Sequence, residues 1–119
     1  MQLFHRLTAD TCAALGPPEI SHPAPERCLS GTPIFTTWNI EDRNGLYAGR
    51  WQATPGKWQV IYDEWEYCHI LQGHSILSAE DGTAHTLRTG DSFLIRPGFR
   101  GTWEVLETTL KDYVILTTP

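Results

Sequence analysis

The 119-residue chain is predicted to be all-β, a single-domain antiparallel barrel or sandwich preceded by an irregular arm. Three observations predict this. From Ile34 onward, runs rich in β-branched and aromatic residues recur every 8–12 residues or so. Short turn sequences separate them, among them Asn44-Gly45, Glu80-Asp81-Gly82 and Thr89-Gly90-Asp91. Helix signals are confined to one stretch near the N-terminus. A jelly roll is one way for so many strands to control their exposed edges.

In chain order, Thr8 is placed to N-cap a short helix over residues 9–15, which Gly16-Pro17-Pro18 would stop. Pro17, Pro18, Pro23, Pro25 and Pro33 then forbid a continuous helix. Residues 1–33 are therefore expected to form an extended arm packed on a barrel of residues 34–119. Strands are expected over 34–40, 46–53, 57–62, 66–71, 74–79, 83–88, 92–95, 102–106 and 110–116. Residues 41–45, Thr54-Pro55-Gly56, Gly73 and Arg96-Pro97-Gly98 close several of them.

Composition bounds the function. Hydrophobic residues make up 40% and charged residues 19%, as in a chain that buries a core. Apolar runs are short, Val114-Ile115-Leu116 being typical, whereas a membrane span needs about 20 residues. The first ten residues carry no apolar signal-peptide region, so a cytoplasmic location is expected. A net charge of −5 with nine Lys and Arg argues against a nucleic-acid partner. Cys12, Cys28 and Cys68 show no C-x-x-C spacing, and reduced thiols are expected rather than disulfides or a zinc site.

Two stretches carry a family resemblance. Gly56 to Gly73 reads G-K-W-Q-V-I-Y-D-E-W-E-Y-C-H-I-L-Q-G, and Gly90 to Trp103 reads G-D-S-F-L-I-R-P-G-F-R-G-T-W. They resemble the two motifs of cupins, G-x5-H-x-H-x3-4-E-x6-G and G-x5-P-x-G-x2-H-x3-N. Trp51 to Lys57, Glu66 to Gly73, Gly101 to Val105, and Lys111 with Tyr113 are similar to a cupin subgroup. That subgroup is named after the (S)-ureidoglycine aminohydrolase cupin domain, and it looks like the ethanolamine-utilisation cupins. The resemblance implies a cupin jelly-roll barrel.

The departures from the motifs bear on chemistry. In the family, two His on one strand, a Glu and a third His converge on a metal. Six residues separate Glu66 from Gly73, as the motif requires, and this alignment puts Val60 and Tyr62 at the two His positions. Gly101 stands at the third His, Val105 at the Asn, and Arg96 at the Pro. Glu66 alone remains, and one carboxylate does not hold a transition metal, so no metal cofactor is expected.

If the cupin register holds, Val60, Tyr62, Glu66, Cys68, Ile70, Trp103 and Tyr113 face inward, with Trp58 joining them. They form either an aromatic-walled ligand pocket or a filled core. Glu66 is the candidate catalytic residue. A carboxyl buried without a cation suits a general acid or base. The alternatives are a pair with Lys111 or Arg96, and a packing role alone. Cys68 reads as an inert buried thiol. His69 should point away from the cavity, and His5, His22, His74 and His85 read as surface or sheet-packing residues, although a rebuilt metal site using His69, His74 or His85 stays open. Trp38, Trp51 and Trp65 read as packing or interface residues.

Three functions are compatible with these features. The first is a metal-free binder of a small polar or carbohydrate-like metabolite. The second, resting on the resemblance, is an aminohydrolase-, isomerase- or hydrolase-type enzyme of nitrogen metabolism. The third is a structural or regulatory subunit, and a homodimer paired through edge strands is expected, as cupins of this size form.

Overall fold

Side chains alternate across a strand, so the period-2 pattern decides which residues meet in the interior. In β6 (Trp65–Ala79), Glu66, Cys68 and Ile70 are buried while Tyr67 is partly exposed. In β9 (Arg100–Leu116) the same phase buries Trp103, Val105, Thr109, Lys111 and Tyr113. These two long strands pair along most of their length and carry the fold. The structure is a computed structural model that describes residues 3–117.

The other strands are β1 (Glu19–Ser21), β2 (Cys28–Gly31), β3 (Phe35–Arg43), β4 (Leu46–Ala53), β5 (Gly56–Ile61), β7 (Ala84–Arg88) and β8 (Ser92–Ile95). Pairing among the described residues is antiparallel throughout, in one nine-stranded sheet. The sheet curls because β6 and β9 each belong to two layers. The first half of β6 pairs with β8 and with the end of β9, which continues through β4 and β3 to β1. The second half of β6 pairs with β7 and with the start of β9, which continues through β5 to β2. The result is the single-domain jelly-roll architecture that the sequence predicts, with almost no helix.

The bends correct two expectations. Residues 66–71 and 74–79 were expected as separate strands broken at Gly73, and 102–106 and 110–116 likewise. Each pair is one strand that shifts register instead of turning, β6 doing so between Ile70 and Ser75. Gly73 sits there with φ +106, a left-handed conformation that favours glycine, and a Cβ would run into the Thr108 carbonyl. A chain bending between layers looks like a turn in sequence because both need glycine. β3 also runs further than expected, to Arg43, leaving Asn44 (φ 50) and Gly45 (φ 82) as the hairpin turn.

The arm enters the sheet. Helix α1 (Ala9–Ala14) starts at Thr8, whose hydroxyl accepts from the Thr11 backbone N–H in a capping box. Beyond it the chain supplies β1, which adds to β3, and β2, which adds to β5, joined by a single 3-10 turn at Pro25–Arg27. Neither strand was legible, because prolines flank both and each is only a few residues long. Arg50 ties the arm down by an Nε bond to Asp112 at 2.8 Å and a bond to the Leu7 carbonyl at 2.9 Å.

Candidate functional site

The space between the layers is unevenly filled. Toward β7 the interior is packed by Ile70, Leu77, Leu87, Ile95, Trp103 and Val105. Toward β1 and β2 it opens into a cavity of about 530 Å³, its mouth bordered by Pro23, Ala24 and Arg27 of the β1–β2 connection. Seven aromatic residues line it, Phe35, Trp51, Trp58 and Trp103 among them. Phe35 packs against Trp51 and Trp58 with centroids 5.2 and 4.8 Å apart, and Trp58 stacks on Trp103 at 6.4 Å with planes 10° apart. Trp58 and Trp103 stand opposite each other in the β5–β9 register, which brings two large rings to the same spot.

At the base of this cavity lies a buried ion pair. The Lys111 Nζ donates to Glu66 Oε2 at 3.1 Å and approaches Cys68 Sγ at 3.5 Å, with both charged side chains 5% exposed. The ammonium also lies over the Trp51 and Trp103 rings, 4.5 and 4.6 Å from their centroids. Burial works against the charged lysine, but the hydrogen-bonded Glu66 carboxylate outweighs it and holds the Lys111 pKa above the ordinary value. Burial pushes the Cys68 thiol up to about 12 despite the adjacent ammonium, so at neutral pH it is a neutral thiol. The Tyr62 phenol is raised well above its usual value by burial and then by Glu66, which repels a phenolate and holds the phenol proton. Burial likewise raises Tyr113, whose hydroxyl donates to Asn39 Oδ1 at 2.7 Å.

Most of the residues expected to face inward come together here. Trp58, Val60, Tyr62, Glu66, Trp103 and Tyr113 all line the cavity. Cys68 faces inward but lies beneath Lys111, fully buried and off the open wall. Of the two cations considered for Glu66, Lys111 is the partner. Arg96 is not, for it borders a second cleft of about 690 Å³ between β7 and β8, beside Phe93 and Pro97. Trp51, expected as a packing or interface residue, packs against Phe35, Trp58 and Trp103, and it also lines the cavity and gives Lys111 an aromatic face. Its place follows from the β4–β9 register, which sets Trp51 opposite Lys111.

The histidines lie elsewhere. His69 Nδ1 is 2.7 Å from Ser92 Oγ on the outward side, His74 sits 4.0 Å from Glu107, and His85 borders the second cleft. Phe35, Thr37 and Asn39 also line the cavity and were not singled out from the sequence. Their alternation along β3 was the available signal, but it does not say which phase faces the interior.

The side chains at the cupin metal positions do not suit a transition metal. Val60 offers no donor, Tyr62 carries a firmly held proton, and Glu66 is engaged by an ammonium. Gly101 is closed sterically, because a Cβ there would run into the Ser78 carbonyl. Among the described residues no group of three or more His, Cys, Asp or Glu is placed to hold a metal ion. The base of the cavity is therefore an anchored charge pair with a phenol beside it, able to present hydrogen-bonding groups against aromatic faces.

Comparison with known proteins agrees with this architecture. Residues 41–113 match the family model of the EutQ-like cupin domain. No curated protein matches the chain. A DUF861-family protein of unknown function from Pseudomonas syringae superposes with a TM-score of 0.75 at 26% identity, over 82% of this chain and 43% of that one. This chain thus spans less than half of that relative. A putative ethanolamine utilization protein Q from Salmonella typhimurium gives 0.63 at 16%, over 71% of each chain. A DUF861-family protein from Thermotoga maritima gives 0.53 at 24%, over 81% of this chain and 96% of that one. The chain belongs to the EutQ-like cupin family.

Proposed function

We propose that this cupin binds a small polar metabolite in the cavity between its sheet layers, without a metal ion. The observation that carries the reading is the Glu66–Lys111 pair lodged between Trp51 and Trp103 at the base of an aromatic-walled cavity of about 530 Å³. Ligand sites combine apolar walls with a few convergent polar groups in this way. Glu66, Tyr62 and Asn39 supply those groups, and Trp58, Val60, Trp103 and Tyr113 supply the walls. Three free thiols suit a reducing compartment such as the cytoplasm. No helix among the described residues is long and apolar enough to cross a membrane.

The test is a metabolite screen read by the indole N–H resonances of Trp51, Trp58 and Trp103. Hits are expected to move these resonances and to lose affinity in Val60→Trp, which fills space in the cavity. Hits that spare the indoles, or that bind Val60→Trp equally well, refute the reading.

We also propose a homodimer, supported by the outward face of the layer containing β8 and β4. Tyr67, Leu94, Leu46 and Leu116 are each 37–42% exposed there, and Tyr67 is directly opposite Leu94. Sedimentation of Tyr67→Lys with Leu94→Lys is expected to give monomer where the parent gives dimer.

A further inference from the structure

Charge is divided unequally around the cavity. Glu19, Glu64 and Glu66 line it, against Arg27 and Lys111. Lys111 is already matched by Glu66 at 3.1 Å. Arg27 is exposed at the mouth. Among the described residues neither Glu19 nor Glu64 has an ion-pair partner. Groups in the cavity sense the same imbalance. After burial, carboxylates are the chief charges raising Tyr113 (Glu66, Glu19 and Asp42) and Glu64 (Glu66 and Asp63), and they also raise Tyr62 (Glu66 and Glu64). No cation is among the leading causes in any of the three.

The walls point the same way. Aromatic faces attract cations, and the chain uses two of them for its own lysine, over Trp51 and Trp103. Phe35, Tyr47 and Trp58 also line the cavity, and among the described residues no cation lies over them. An anionic ligand would enter among carboxylates and find the interior ammonium engaged. A cationic ligand would meet open aromatic surface and two unmatched carboxylates.

We propose that the ligand of this cavity is a small organic ammonium ion, held by the aromatic walls and by Glu64 and Glu19. The inference rests on reading the cavity as the binding site, and it names the class of molecule bound there. The ammonium hydrogens reach the carboxylates, and the organic body lies against Phe35 and Trp58.

Benzylammonium, benzyl alcohol and benzoate share a ring and differ in charge, which makes them suitable probes. Each is titrated into the full chain at pH 7 and low salt, with binding read on the cavity indole resonances. Benzylammonium is expected to bind about tenfold or more tightly than benzyl alcohol, the scale of a desolvated cation–π contact, and benzoate most weakly. In Glu64→Gln the preference for the ammonium over the alcohol is expected to fall several-fold. Benzyl alcohol or benzoate binding at the indoles as tightly as benzylammonium overturns the charge inference and leaves the cavity reading standing. An unchanged preference in Glu64→Gln overturns the role of that carboxylate. If no member of the series moves an indole resonance, the ammonium proposal falls. The cavity reading then falls as well only if the metabolite screen also spares those residues.

Discussion

Replacing Lys111 by Met tests whether the Glu66 carboxylate is held in the interior by the ammonium. Met keeps the length of the stem and deletes the charge, so the wild-type contacts of 3.1 Å to Glu66 and 4.5 and 4.6 Å to the two tryptophan rings are lost. Breaking a buried pair from one side costs about 3–5 kcal/mol, because the remaining charge is left desolvated. A limit comes from chemistry, since the variant can protonate the carboxyl instead. Protonating an ordinary glutamate with a reference value near 4.3 at pH 7 costs about 3.7 kcal/mol, at 1.36 kcal/mol per pH unit. Loss of the cation–π contacts adds about 1 kcal/mol, offset by burial of the Met side chain. The expected loss at pH 7 is therefore about 4 kcal/mol. The pH dependence gives a sharper signature. Folding of the variant takes up one proton at Glu66, whereas folding of the wild-type pair takes up none. The gap should then shrink by about 1.4 kcal/mol for each pH unit of acidification, to about 1 kcal/mol at pH 5. Urea unfolding of both proteins at pH 7, 6 and 5, followed by tryptophan fluorescence, measures it. A loss below about 1 kcal/mol at pH 7, or one that does not change with pH, refutes the argument. Glu66→Leu combined with Lys111→Met should recover most of the stability, because no unpaired charge is then left behind.

Three further outcomes are expected. In native protein at pH 8, a thiol reagent should modify half-buried Cys28 first and spare Cys68, whose buried thiol titrates at about 12, while urea should expose all three free cysteines. Raised pKa values at Tyr62, Tyr113 and Lys111 stabilise the folded state below the unfolded reference values near 10. That stability should be lost as the pH climbs through the folded values, so unfolding and the phenolate absorbance near 295 nm should rise together above about pH 10; free titration of these phenols in folded protein contradicts it. Gly101→Ala should destabilise by about 3 kcal/mol or prevent folding, because the new methyl meets the Ser78 carbonyl in the β6–β9 ladder; a near-neutral melting temperature contradicts it.

Most of the barrel was legible because it is written in turns and alternation. Strands 46–53 and 92–95 match β4 and β8 residue for residue, each being bounded by turn residues on both sides. Glycine misled at residue 73, where the chain needs a left-handed residue to change layers rather than direction. The short β1 and β2 were hidden by prolines, and they exist because neighbouring edges of β3 and β5 pair with them. Within the cavity, residues on β5, β6 and β9 were legible from one motif glycine and a period of two. Glu66 was left unpaired, merely packed, or paired with Lys111 or Arg96, since choosing Lys111 depends on the β6–β9 register. The place of Trp51 beside the lysine was hidden for the same reason. Its neighbour Lys111 is distant in sequence and adjacent only across β4 and β9.

The lysine gives the missing ligands a physical sense. A carboxylate inside a barrel needs a positive charge, and either a metal ion or an ammonium can supply it. The two differ in what they leave free. A metal held by a few side chains keeps open coordination positions at which a substrate can be polarised. Lys111 contacts Glu66, Cys68 and two tryptophan faces, so its charge neutralises and anchors the site. Building a metal site of the usual cupin kind here would need more than histidines at Val60 and Tyr62. Gly101 admits no side chain, and the ammonium occupies the approach to Glu66. The replacements are thus coupled through one packed arrangement. On the proposed reading, the groups left for recognition are the aromatic walls and the outer carboxylates, which would select a ligand by charge and shape.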